Sequence, residues 1–307
     1  MNGKKNIPYK DVCAVIVTYR YASDKLHRLL TSISAQVGHI CLIDNNDSKE
    51  TNAELQQFRN EKNTVITNKA NLGLATAINQ GIRFASENHY RYVLLLDQDS
   101  WPAADMIEKL VKAIHCLAIR RKKVAAVGPV VIDQLQGRPL PFLQFKPARI
   151  KKISPQFNAE RSVPVDFLIS SGSLLDVKRL AEESLMDERL FIDNVDLEWC
   201  LRVKNAGYEL YGVCDSFLNH RIGESVLRLP IVGKYVLLHP PERQYYIMRN
   251  RIFLYRRHYI PFRWKIQDFF RLMFKLFFFP IAVSPRWRNL HMMLRGILDG
   301  ASQNHHW

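Results

Sequence analysis

Tyr92-Val93-Leu94-Leu95-Leu96-Asp97-Gln98-Asp99-Ser100 is an unbroken apolar run that ends directly on two carboxylates one residue apart. A short continuous run of this kind, with no polar residue at alternate positions, predicts a strand over 92–96 that is buried on both faces. The same grammar repeats upstream. Apolar runs at 12–18 and 39–43 end on Thr18-Tyr19-Arg20 and Asp44-Asn45-Asn46, and 64–67 reads as a shorter strand. Between them, 25–36 carries Leu26, Leu29, Leu30 and Ile33 at helical spacing, and 53–60 and 74–88 also read as helices. This β-α-β alternation predicts an α/β fold, a mostly parallel central sheet flanked by helices. In such sheets the ligand lies beyond the carboxyl ends of the strands, so these three polar strand ends are expected to border one cleft.

Downstream, 129–164 is irregular and rich in proline and basic residues, predicting loop with short strands. Residues 165–177 read as a strand interrupted by Ser170-Ser171-Gly172-Ser173. Residues 196–206 have helical spacing closed by Gly207, and 209–213 form a strand leading to His220. After about residue 226 the composition shifts. Residues 269–283 combine an aromatic-rich apolar run with Arg271 and Lys275, flanked by Arg256, Arg257, Arg263, Lys265, Arg286 and Arg288. The apolar stretches are too short to span about 30 Å of hydrocarbon, and Pro280 breaks the longest. The segment suits either a membrane interface or a helical cap with solvated cations. The expected organisation is an α/β unit at 1–225, in two halves at about 1–100 and about 101–225. A basic, aromatic helical extension follows at 226–307.

The 307 residues are 47% apolar and 24% charged, an ordinary balance for a chain that buries a core, but the formal net charge is +15. That excess calls for a polyanionic partner: nucleic acid, an anionic membrane or phosphorylated substrates. No helix-turn-helix, zinc-finger or RNP-type motif accompanies it, and the cations gather beside aromatics near the C-terminus, which disfavours nucleic acid. Cys13, Cys41, Cys116, Cys200 and Cys214 are dispersed without a C-x-x-C pair, as in a reducing compartment. The first ten residues lack the apolar stretch of a signal peptide, so a cytoplasmic location is expected.

Asp97 and Asp99 at a strand end can divide the work of a hard divalent cation and a ribose hydroxyl or second metal position. Neutralising a diphosphate leaving group is the chemistry such a cation supplies. A solvated acidic turn has the same short pattern, so these residues alone do not decide.

The surrounding motifs do more. Val15-Ile16-Val17-Thr18-Tyr19, Leu42-Ile43-Asp44-Asn45-Asn46, Asn71-Leu72-Gly73-Leu74-Ala75 with Asn79-Gln80-Gly81, and Leu94-Leu95-Leu96-Asp97-Gln98-Asp99-Ser100 occur in that order. Ser171-Gly172-Ser173, the stretch from Phe191-Ile192-Asp193 to Arg202, His220-Arg221-Ile222-Gly223 and Arg243-Gln244-Tyr245-Tyr246 with Arg249-Asn250 follow. The ordered set resembles family 2 glycosyltransferases of the GT-A fold, especially the bacterial rhamnosyltransferase branch, over nearly the whole chain. The resemblance implies a nucleotide-diphospho-sugar transferase fold with a C-terminal helical extension, and would make the two halves of 1–225 the nucleotide-sugar and acceptor halves of a catalytic domain. It also implies inverting transfer that depends on Mn2+ or Mg2+. The favoured donor is dTDP-β-L-rhamnose, giving an α-L-rhamnosyl linkage; a UDP-hexose or UDP-galactofuranose is the alternative. The implied acceptor is a glycan on a polyprenyl diphosphate, in cell-surface polysaccharide (O-antigen) biosynthesis at the inner face of the cell membrane.

By the same resemblance, Thr18 and Tyr19 line the nucleotide pocket, Asp44 accepts the imide N–H of uracil or thymine, and Asn71, Gly73 and Asp97 approach the nucleotide sugar. Asp44 could equally be a turn or capping acid. Gly73 could simply make the turn before the next helix. Asp99 and His220 are the implied metal ligands; a lone histidine with one hydrogen bond is the plain alternative for His220. Asp196 is the implied general base, taking the acceptor proton as that oxygen attacks the anomeric carbon. Asp193 and Glu198 are rivals, Val195 departs from the Glu common in other branches, and all three acids also suit a helix N-terminus. Ser171, Gly172, Trp199 and Arg243 fall on the acceptor side, with Trp199 stacking on a sugar or serving as core. Arg243, Arg249 and Arg251 suit an acceptor phosphate or anionic lipid. A catalytically silent membrane scaffold is the remaining alternative, and the intact acidic pair speaks against it.

Overall fold

The computed structural model describes residues 9–134, 137–146, 149–155, 161–221, 225–229 and 234–302. The first half alternates β1 (Tyr9–Thr18), α1 (Ser23–Ser34), β2 (Val37–Asp44), α2 (Lys49–Gln56), β3 (Asn63–Thr67), α3 (Leu74–Glu87) and β4 (Tyr92–Asp97). Next come β5 (Ser100–Pro102), α4 (Met106–Ile119), β6 (Val124–Asp133), β7 (Arg138–Pro139), β8 (Phe142–Phe145), β9 (Ile150–Ile153), β10 (Ser162–Val165) and β11 (Leu174–Asp176). Helices α5 (Val177–Leu180) and α6 (Val195–Asn205) lead to β12 (Glu209–His220), the hairpin β13 (Ser225–Leu229) and β14 (Lys234–Leu238), and helices α7 (Pro241–Arg256), α8 (Phe262–Ala282) and α9 (Arg286–Ser302).

The central sheet runs β10-β12-β6-β11-β4-β1-β2-β3. Alternate residues of its inner strands enter opposite cores, as the two-residue period of a strand requires. Val12, Ala14 and Ile16 of β1, with Tyr92, Leu94 and Leu96 of β4, pack under α1 and α4. Cys13, Val15 and Val17, with Val93 and Leu95, pack on the face covered by α3 and α6. This double burial is why these strands read as unbroken apolar runs.

Pairing is parallel through β3, β2, β1 and β4, but β11 is antiparallel to both β4 and β6. The sheet is therefore parallel in its first half, β1 to β4, and mixed beyond it. The cause is local. Ser173 N–H donates to the Ser170 carbonyl at 2.9 Å, and Gly172, at φ +89°, lies where a Cβ would meet Pro129 and Leu218 at 2.8 and 2.9 Å. The chain folds back there instead of continuing as one strand through 165–177. Residues 129–164 contain the end of β6 and the short strands β7 to β10, close to the expected loop with strand fragments.

Helix α7 is part of the cleft wall. Asn250 Nδ2 donates to the carbonyls of Leu190, Ile192 and Asp193, and the fully buried Arg249 donates to those of Arg189 and Leu190. A third apolar cluster, Met248, Leu272, Phe279, Val283 and Met293, joins α7, α8 and α9. Among the described residues no helix is long and apolar enough to cross a membrane.

Candidate active site

The carboxyl ends of β1, β2 and β4 and the end of β12 open on one cleft of about 640 Å³, a size suited to a small ligand. Tyr19, Asn45, Asn71, Asp97, Gln98 and Asp99 line one side of it, and His220 and Arg221 close one end. The opposite wall is the 191–196 turn with His239 and Arg243.

Asp97, Asp99 and His220 converge, each with a ligand atom within 4.8 Å of the others. His220 Nε2 lies 3.4 Å from Asp97 Oδ2, and Nδ1 lies 3.5 Å from Asp99 Oδ1. Two carboxylate oxygens and one imidazole nitrogen form a donor set that fits Mn2+ and is tolerable for Mg2+. Behind them Ser100 Oγ hydrogen-bonds His220 Nδ1 at 3.0 Å and Ser171 Oγ at 2.6 Å, and Ser171 Oγ accepts the Asp97 amide at 3.1 Å. Both serines are buried, so the loop is braced from within. Gln98 is turned away from this cluster; it accepts Tyr19 N–H at 2.8 Å and donates to Tyr19 C=O at 3.0 Å, locking β4 to β1.

Asp196 stands in the opposite wall at the first turn of α6. The turn before it is strained, with Phe191, Asp193 and Asn194 at φ +62°, +66° and +60°. Left-handed non-glycine residues cost roughly 1–3 kcal/mol each and persist only where packing holds them. Here Asn250 grips three carbonyls, and Arg243 clamps Asp193 through two hydrogen bonds of 2.9 and 3.0 Å. Burial pushes the Asp196 carboxyl up to about 6; Asp193 and Asp97 add to the rise, and the Leu197 amide opposes it. Asp97 is also raised, first by burial, then by Asp99, against the pull of His220 and Arg243. About a third of the Asp97 side chain is exposed in the cleft. Asp97 and Asp196 both line this cleft, one on each wall.

Several expected residues lie elsewhere. Thr18 is buried, its hydroxyl 3.4 Å from the Ile43 carbonyl. Asp44 is fully buried and accepts both the backbone and side-chain N–H of Asn46, so it does not open to the cleft. Its neighbour Asn45 does, donating to Asn71 at 2.9 Å and accepting Leu72 N–H at 3.0 Å. Gly73, at φ +86°, caps α3 where a Cβ would strike the Phe191 ring at 2.5 Å. Trp199 is corrected to core: it is 2% exposed, and its indole N–H donates to the Glu183 carbonyl. Glu198 is buried against Arg202 and Tyr259, off the cleft, which removes it as a rival to Asp196. Arg249 is a structural cation, enclosed by Tyr245, Tyr246 and Phe253, with no side chain in the cleft. Ser171 and Gly172 shape the site from behind, and Ser170 reaches the surface instead. Ile222 and Gly223 lie outside the described residues. Lys25 and His239 line the cleft without any short motif that marks them in the sequence.

Comparison with known proteins agrees with this architecture. Residues 13–164 match the glycosyl transferase family 2 profile. The chain is 28% identical over 288 residues to the dTDP-rhamnosyl transferase RfbF of Shigella flexneri, covering 94% of this chain and 93% of that one. Among solved structures, S. aureus TarS 1–349 in complex with UDP-GlcNAc superposes with TM-score 0.55 at 15% identity, over 94% of this chain and 80% of that chain. GalNAc-T7 with UDP, GalNAc and Mn2+ gives 0.54 at 18% identity, over 71% and 45%. At these identities the two structures share the fold.

Proposed function

We propose that this chain, whose residues 13–164 match glycosyl transferase family 2 and which is similar over most of its length to a dTDP-rhamnosyl transferase, is a rhamnosyltransferase-like member of that family that transfers L-rhamnose from dTDP-β-L-rhamnose, with inversion, to a lipid-linked glycan. The observation that carries the reading is the facing of two acidic centres across one cleft, Asp97-Asp99-His220 on one wall and Asp196 on the other. The likeness to RfbF supports the donor.

In this mechanism Tyr19, Asn45 and Asn71 border the nucleotide, and Asp97 orients the donor sugar diphosphate. Asp99 and His220, braced by Ser100 and Ser171, would hold Mn2+ or Mg2+. Such an ion supplies charge neutralisation to the departing nucleoside diphosphate. Asp196 accepts the acceptor hydroxyl proton as that oxygen attacks the anomeric carbon from the face opposite the leaving group, so one displacement inverts the centre. A carboxyl held at about 6 suits this role, being ionised at neutral pH yet more basic than an ordinary aspartate. Arg243 positions Asp193 and the 191–194 turn beside it.

Donor identity is tested by thermal shift. With Mn2+, dTDP-β-L-rhamnose at a hundredfold excess over its Kd should stabilise the native state by about 2.7 kcal/mol. UDP-hexoses and UDP-galactofuranose should do less. A larger stabilisation by a UDP-sugar would reassign the donor.

In the same reading residues 1–225 carry the chemistry, α7 contributes Arg243, and the rest of 226–307 rests on the cytoplasmic face of the cell membrane. Phe262, Ile266, Phe270, Phe274, Phe277 and Ile281 are exposed along one stripe of α8 at steps of three or four, beside the exposed Arg263 and Arg271. Burying one such side chain is worth roughly 1.5–3 kcal/mol, and basic residues add attraction to anionic lipid. The Phe270→Asp, Phe277→Asp double variant should lose co-sedimentation with phosphatidylglycerol-containing vesicles while keeping its thermal midpoint. Unchanged sedimentation would remove α8 as the contact.

A further inference from the structure

We propose that a second anion subsite, built from Lys275, Arg251 and His239, lies behind Arg243 where the cleft wall meets α8, and takes a phosphate group of the lipid-linked acceptor. The proposal rests on the transferase reading but concerns a part of the cleft apart from the Asp97-Asp99 centre.

Helices α7 and α8 bring Arg243, Arg251 and Lys275 close together beside His239. The carboxylates that face them are Asp193 and Asp268. Arg243 is engaged with Asp193, and Arg251 Nε lies 3.2 Å from Asp268 Oδ2, which also accepts the Tyr255 hydroxyl. Among the described residues three cations thus meet two carboxylates, and Lys275 is the cation left over. Its Nζ has no hydrogen-bond acceptor among the described residues; it lies 5.4 Å from the Phe279 ring centroid. Arg251 Nη1 and His239 Nδ1 are buried without a partner among those residues. A half-buried, unbalanced cation with orphaned nitrogens beside it is unfavourable unless an anion completes the set. Phosphate, with several strong acceptor oxygens, matches it.

The surplus positive field acts on the neighbouring groups. Burial, with Arg251, brings the Lys275 amine down to about 8, and burial, with Arg243, brings His239 down to about 4. His239 and Arg243 open the cluster to the cleft. Lys275 shares the inward face of α8 with the buried Asp268, Leu272 and Phe279, while Phe270, Phe274 and Phe277 point outward. One helix diameter, about 10 Å, therefore separates the subsite from the apolar stripe. A phosphate whose hydrocarbon tail lies in a bilayer would meet both faces of α8 at once.

The test uses the full chain and calorimetric titration with inorganic pyrophosphate in EDTA. Lys275→Met, which keeps the side-chain length, should weaken pyrophosphate binding by more than about tenfold, and Lys275→Arg should retain most of it. Farnesyl diphosphate should show the same dependence on residue 275 and should stay bound when dTDP and Mn2+ are saturating. Equal pyrophosphate affinity in Lys275→Met and wild type would overturn the subsite. Displacement of farnesyl diphosphate by dTDP would overturn its assignment to the acceptor. Lys275→Met should still bind dTDP with Mn2+. A wild-type chain that binds no dTDP would sink the transferase reading, while the pyrophosphate comparison would still judge the subsite.

Discussion

Replacing Asp196 by Asn should lower turnover by about 10²–10⁴-fold while leaving donor affinity within a few-fold of wild type. The substitution preserves size and the Leu197 amide contact but removes the only feature the step needs from this side chain, a carboxylate able to take a proton. Asp193 cannot stand in for it, because both of its oxygens are held by Arg243. A pH profile separates this role from a structural one. Burial raises the Asp196 pKa to about 6, and a base works only when deprotonated. In wild type kcat/KM should therefore be full above about pH 7 and fall as pH drops through about 6; the residual activity of Asp196→Asn should lack that limb. An Asn variant that turns over normally but binds donor poorly would move Asp196 to the donor side.

Asp99→Ala should raise the Mn2+ dissociation constant by more than the roughly 10–100-fold that follows loss of an outer-shell partner. It should also cut transfer by about 10³-fold or more, since charge neutralisation of a leaving diphosphate is worth several kcal/mol and each 1.36 kcal/mol is a tenfold rate. Asp99 supplies one of three converging donors, and Asp97 with His220 alone leaves an incomplete set. Electron paramagnetic resonance of free Mn2+ reads the affinity without reference to activity. Intact Mn2+ binding together with full transfer in this variant would take residue 99 out of the metal site.

These predictions depend on parts of the molecule that differ in how visible they are in the sequence. The strands β1, β2 and β4 were legible because both faces are buried, which leaves an apolar run that no loop or amphipathic helix imitates. Their polar ends followed, while the meeting of Asp99 with His220 came from the family resemblance and not from periodicity. Side-chain direction did not follow. Asp44 and Asn45 are neighbours at one strand end, and the pleat with the Asn46 hydrogen bonds decided that the amide, not the acid, opens to the cleft. On α6 the rotation set by core packing sends Asp196 to the cleft, Trp199 into the core and Glu198 to Arg202, although all three lie within one helical turn. Arg249 looked like a phosphate ligand by composition and proved to be a brace for the 189–190 carbonyls.

By itself the sequence determined the layered α/β architecture, the strand ends that carry the acidic pair, and the basic, aromatic character of the C-terminal segment. All of these arise from local periodicity, which folding preserves. Only the tertiary structure decided the antiparallel insertion of β11, the strained 191–194 turn and the cation cluster between α7 and α8. Each depends on contacts between residues far apart in the chain, where packing and hydrogen-bond partners outweigh local preference.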